Sequence, residues 1–236
     1  MVGNIIAPDY VYGGDTPSDE HIVITASSST IGTQDINCRF KPQIIYAFNG
    51  ATYCMFWSEQ LLGNKMIRNG AQVSSSYNWE SVSWPVSSGN MSISAMTNTG
   101  WTLYTGNYGS ATTYTGGIAD NSDVHYTTSA NMMMKNNTSK FTTGFRPKLV
   151  VVFVVSRQTA SITSSYLSKV LTYCENESTT QYGIFSNEVT GGTGKKMVNI
   201  GTASTSSSIY IKSIADDSFT LTNSGTSTLY VWAAAV

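Results

Sequence analysis

The chain has 236 residues, a formal net charge of −1 and only 11% charged residues, where an ordinary globular protein carries about 25%. That balance leaves no basic face for nucleic acid or an anionic membrane, and 41% hydrophobic residues exclude a chain disordered by composition. The length suits one large or two ordinary domains.

Solubility must then come from Ser, Thr, Asn and Gly, which favours a polar, β-rich surface over a charged helical one. Residues 1–20 read as an arm. Gly3, Pro8, Gly13-Gly14 and Thr16-Pro17 punctuate it too densely for a regular element. Tyr10, Val11 and Tyr12 could dock on a neighbouring surface, which makes the arm a candidate attachment segment; a simple edge strand fits equally well. The opening Met1-Val-Gly-Asn-Ile-Ile-Ala-Pro lacks the basic start and long apolar stretch of a signal peptide. Synthesis in a reducing cytoplasm is expected.

His21-Ile-Val-Ile-Thr25 opens the first strand-like stretch. The phrase Phe40-Lys-Pro-Gln-Ile-Ile-Tyr-Ala-Phe48 follows, and Asn49-Gly50 predicts a type I′ hairpin into Ala51-Thr-Tyr-Cys-Met-Phe-Trp57. Leu61, Leu62, Met66 and Ile67 fit a helical period over residues 58–70, but Gly63 and Asn64 weaken it. A strand or an irregular segment is expected there. Residues 73–86 are rich in Ser and Trp and alternate, as in Trp79-Glu-Ser-Val-Ser-Trp84. Met91 to Met96 and Trp101-Thr-Leu103 flank a turn at Asn98-Thr99-Gly100, and residues 114–119 close the unit.

From about residue 120 the pattern starts again. Phe145-Arg-Pro-Lys-Leu-Val-Val-Val-Phe-Val-Val155 repeats the Phe40 phrase at an offset of 105. Its apolar run, Leu149 to Val155, is β-branched and far shorter than the roughly 20 residues that span a bilayer. Apolar side chains on both faces imply burial on both, so it reads as a central strand. Pro147 sits at its start, where a missing N–H does least harm. Near the end Met91, Ile93, Met96, Trp101 and Leu103 match Ile209, Ile211, Ile214, Phe219 and Leu221 at an offset of 118, and Tyr114 is matched with Tyr230. A repeat this long is a domain, not a solenoid period. The expected fold is all-β: two tandem antiparallel β-sandwich, jelly-roll-like domains from an internal duplication, residues 21–119 and 120–236, each with seven or eight short strands.

No set of residues reads as catalytic. Glu59, Glu80, Glu175 and Asp216 are scattered, whereas paired-carboxylate hydrolysis needs two acids about 5 to 9.5 Å apart. Gly191-Gly-Thr-Gly-Lys-Lys196 lacks the phosphate-loop spacing and reads as a hairpin loop. His21 and His125, at matching places, lack companion ligands, so no metal or cofactor is expected. Cys38, Cys54 and Cys174 have no metal spacing and read as free or buried thiols; a Cys38–Cys54 bridge is the alternative. The ligand-binding candidates are aromatic: Tyr77, Trp79 and Trp84 in a Ser-rich stretch, with Tyr104, Tyr108 and Tyr114 near a Gly-rich loop. Aromatic faces beside hydroxyls suit stacking on sugar rings or anchoring an interface. Trp79 and Trp84 fall on opposite faces of a strand, so at most one is core. Met132-Met-Met134 reads as packing or an adaptable interface.

The phrase at Phe145–Val152 and the ending Ser218-Phe-Thr-Leu-Thr-Asn-Ser-Gly225, then Leu229-Tyr-Val-Trp-Ala-Ala234, resemble phage virion proteins, especially tail-fibre, receptor-binding and decoration modules. Such proteins often place a Gly before the closing Phe; Ser218 stands there in the second copy and Gly100 in the first. The first phrase also resembles the core strand of H-type lectins. The resemblance implies a non-enzymatic virion-surface protein, a tail-fibre, receptor-binding or other adhesion component, homo-oligomeric and trimeric. Its partners would be itself, other virion proteins and a host-surface glycan, with no nucleic acid and no membrane insertion. A capsid-decoration or head-fibre protein, or a lectin-like module, is the alternative; a glycan-degrading enzyme is the remote third.

Overall fold

The computed structural model describes residues 20–26, 31–49, 53–73, 76–106, 111–118, 126–175, 181–186, 195–201 and 208–236. Residues 1–19 of the expected arm, His125 and the Gly191–Gly194 turn lie outside them. The described chain is all-β, and its sheets are antiparallel.

The first half contributes β1 (Glu20–Ala26), β2 (Gly32–Asn37), β3 (Ile44–Asn49), β4 (Tyr53–Ser58), the short helix α1 (Glu59–Leu62), β5 (Lys65–Val73), β6 (Ser76–Ser83), β7 (Met91–Thr97), β8 (Gly100–Thr105) and β9 (Thr112–Ile118). The second half contributes β10 (Thr127–Met134), β11 (Asn137–Thr142), β12 (Leu149–Val155), β13 (Leu167–Cys174), β14 (Gln181–Ser186), β15 (Lys195–Asn199), β16 (Ile209–Ala215), β17 (Ser218–Asn223) and β18 (Leu229–Ala235). Each half thus holds nine described strands, more than the seven or eight that turn signals suggest.

A six-stranded sheet runs β1-β9-β3-β4-β5-β6 and a second runs β10-β18-β12-β13-β14-β15. Two three-stranded sheets run β2-β8-β7 and β11-β17-β16. The strand order of the second half is therefore that of the first with nine added to every number. The registers agree as well. Ile36 pairs with Trp101 and Phe141 with Phe219. A register shift follows Ile93 opposite Leu103, and another follows Ile211 opposite Leu221. One expected match changes. Tyr46 pairs with Tyr114 and Val151 with Ala234, so Tyr114 corresponds to Ala234 and not to Tyr230. Sequence likeness of two tyrosines misplaced the strand by four residues.

β12 is fully buried along its whole length, between β18 and β13. Its alternate side chains enter two cores, as the pleat requires. Val150, Val152 and Val154 pack with Phe141, Phe219, Ile209, Ile211 and Leu221 of the three-stranded sheet. Leu149, Val151, Phe153 and Val155 join a larger cluster that includes residues of the first half. The two six-stranded sheets face each other there. A Cβ on Gly116 would come 2.8 Å from Leu149 Cδ2, and the Ser58 and Tyr126 hydroxyls lie 2.9 Å apart. The first half offers aromatic groups to this interface: Tyr46 stacks on Tyr114 at 4.4 Å, and Trp79 meets Phe56 edge-on at 6.0 Å. On its other face the first six-stranded sheet meets β8, where Trp101 Nε1 donates to Thr115 Oγ1 at 2.9 Å.

Two local expectations are corrected. Asn49 is a strand residue opposite Tyr53 and not a turn residue, because pairing continues one step beyond the predicted Asn-Gly turn. Residues 59–62 form one helical turn, closed by Gly63 at φ 57; Gly tolerates that left-handed region, and the chain resumes as β5. The thiols of Cys38, Cys54 and Cys174 are buried and unbridged.

Candidate functional site

Among the described side chains, the predicted candidates Trp79, Trp84 and Tyr104 do not form one surface. Trp79 is 7% exposed and packs edge-on against Phe56 in the larger core cluster, so its ring is not offered to a ligand. Trp84 is half-buried. It meets Trp57 edge-on at 5.9 Å, and both indoles donate to the Gly63 carbonyl, at 3.2 and 2.7 Å. Tyr104 is half-buried on β8, between Thr33 and Ser92 in the sheet. Tyr77 lies on β6 opposite Gln72, and Tyr108 lies outside the described residues. His21 lies on β1 opposite Gly117.

The scattered acids are mostly held by cations. Glu59 pairs with Lys41. Glu80 accepts from Arg68 Nε at 3.1 Å. Glu175 and Asp216 share Arg146, at 3.0 and 3.4 Å; the Glu175 hydrogen bond, above all, holds that guanidinium's pKa above its ordinary value. Arg68 is 8% exposed. Its NH1 also donates to the Ser88 and Met91 carbonyls and to Ser92 Oγ, at 2.6, 3.1 and 2.6 Å. It clamps the approach to β7 and is structural.

A cleft of about 200 Å³ opens in the second half, between the edge strand β10 and the three-stranded sheet. Thr127, Thr128 and Ser129 of β10 line one side, and Lys140 and Thr142 of β11 the other. Its floor is apolar: Phe141 and Phe219, stacked at 4.8 Å and 6°, with Met132 and Ala233. The floor follows from β11 and β17 turning Phe141 and Phe219 inward as cross-strand partners. The polar wall follows from β10 being an edge strand, where side chains at the rim keep contact with water.

The cleft is electrically quiet. Lys140 Nζ lies 3.1 Å from Asp217 Oδ2, and both side chains are more than half exposed. The Ser218 hydroxyl first and the Lys140 ammonium second hold the Asp217 carboxyl below its ordinary range. The lining thus supplies hydroxyl donors and acceptors over apolar carbon, a set for binding a neutral polar molecule. The sequence carried one trace of this wall, the hydroxyl run at 127–129, which has no spacing that marks a site. No family model matches the chain, and no curated protein matches it.

Proposed function

We propose that this chain is a non-enzymatic structural protein of a phage virion surface, a tail-fibre, receptor-binding or other adhesion component. In this reading it is built from two tandem antiparallel β-sandwich units that arose by internal duplication. The recurrence of strand order with an offset of nine carries the proposal of two related units. The paired phrases at Phe40 and Phe145 support it, since each supplies a central strand and a basic residue that holds an acid. The resemblance of those phrases and of the closing hairpin to virion modules supports the place on a particle. Low charge and a hydroxyl-rich surface suit a rigid module exposed to solvent. The chain would be made in the host cytoplasm and would assemble as a homotrimer with other virion proteins.

Antibody labelling of purified particles, with the mass of the free protein in solution, tests this. Label at the tail tip and a trimeric mass are the expected results. Label on the head would move the protein to capsid decoration. A strictly monomeric protein found on no particle would remove the proposal.

A further inference from the structure

We infer that the cleft beside β10 is a binding site for one uncharged pyranose unit, such as the terminal sugar of a host glycan. The inference deepens the adhesion reading and rests on it.

Two independent observations meet at this place. The first is a difference between the halves. At an offset of 118 Phe219 corresponds to Trp101, and by register Ala235 corresponds to Thr115. In the first half the buried Trp101 indole bonds to Thr115. The second half has a smaller ring and a methyl at those positions, and the cleft opens beside them. The second is the backbone. β10 changes register between Ser129 and Met132, both of which line the cleft, whereas β1 pairs with β9 without a shift. Asn131 lies inside that bulge at φ 56, in the left-handed region that Asn visits at a cost. Bulges of this kind re-aim side chains and gather beside functional sites.

The chemistry of the lining selects the ligand. Drug-sized ligands fill roughly 300 to 1,000 Å³, so a cleft of about 200 Å³ suits a single ring. Lys140 is matched by Asp217, so no net charge calls for an anion. The Thr127 and Ser129 hydroxyls of β10 can exchange hydrogen bonds with ring hydroxyls, whereas Thr128 donates away from the cleft to Gln60 Oε1 at 3.0 Å, and the Phe141–Phe219 floor takes the C–H face. So few polar contacts give weak binding at one site, which repetition on a trimer would raise.

Saturation-transfer NMR on the full chain, with a panel of methyl glucoside, galactoside, mannoside, N-acetylglucosaminide and sialoside, tests the inference. Transfer to at least one neutral glycoside is expected. Ser129→Trp or Thr127→Trp, which fill the cleft from β10, should weaken that binding at least tenfold, and Trp84→Ala should leave it unchanged. Binding to none of the panel, binding to the sialoside alone, or binding unchanged in both plugged variants would each overturn it. None of these outcomes alters where antibody labels the particle, so the virion reading stands or falls separately.

Discussion

Arg146 donates its Nε to Glu175 Oε1 at 3.0 Å, and Lys41 makes the same kind of pair with Glu59 at the matching place in the first half. Each base comes from a Phe-basic-Pro phrase, and each acid follows the last residue of the strand paired with it. Glu59 follows Ser58, the partner of Ile44; Glu175 follows Cys174, the partner of Leu149. These pairs are exposed, and exposed pairs contribute about 0.2 to 1 kcal/mol. Lys41→Ala and Arg146→Ala should therefore each lower the urea midpoint only slightly, and the loss should shrink in high salt.

Arg68 should behave differently, because it is buried and meets four acceptors: Glu80, two carbonyls and Ser92. Removing one member of a buried charged network costs about 3 to 5 kcal/mol. Glu80 is 42% exposed and can regain water, so the low end applies. Arg68→Ala is expected to lose about 3 kcal/mol by chemical denaturation, several times the loss at Arg146. Equal losses at the two arginines would show that burial does not set the difference.

These contrasts show what the sequence could and could not carry. Leu149 to Val155 was legible as a central strand, because seven apolar residues in a row fit only burial on both faces. The closing hairpins were legible too, since Trp101 and Phe219 keep the same neighbours across a two-residue turn. Tyr114 was misaligned because its true counterpart, Ala234, shares no chemistry with it; the loop before β9 differs in length, and only hydrogen-bond register reveals the shift. Sequence alone did not say which of Trp79 and Trp84 is core, because both stand among Ser and Glu residues. An alternating strand buries one face, and that face of β6 meets Phe56 from another strand. The cleft was invisible because β10 and β11 supply its walls and half its floor, and the rest of the floor, Phe219 and Ala233, comes from β17 and β18 far along the chain.

The contact between the halves can be tested at two points. Gly116 has no room for a side chain, because Leu149 Cδ2 would lie 2.8 Å from its Cβ. Gly116→Val overpacks the interface and should cost about 1 to 3 kcal/mol. Tyr126→Phe removes the hydroxyl that meets Ser58 Oγ and the Gln60 N–H, and should cost about 1 kcal/mol. If both variants unfold at the wild-type urea concentration, the two six-stranded sheets do not pack face to face in solution.

The buried thiols and phenols set an alkaline limit. Burial pushes the Cys38 thiol from 9.0 up to about 12, and burial with the Glu175 charge pushes Tyr173 from 10.0 up to about 12. Burial also raises Tyr126, against the lowering effect of its Ser58 bond. A group whose folded pKa is raised binds its proton more tightly when folded. Its contribution to stability is therefore complete below the unfolded value and is lost as pH climbs towards the folded one. Thermal midpoints should hold between pH 7 and pH 8.5 and then fall, first as Cys38 enters its window near pH 9 and faster above pH 10 as the tyrosines follow. Cys38→Ala should delay the onset towards pH 10. A thiol reagent at pH 8 should find no reactive cysteine in the folded protein and three after denaturation, because all three lie in the core. Rapid labelling of Cys38 in the folded chain, or a midpoint still flat at pH 11, would show that the strand pairings around it open far more readily than this packing allows.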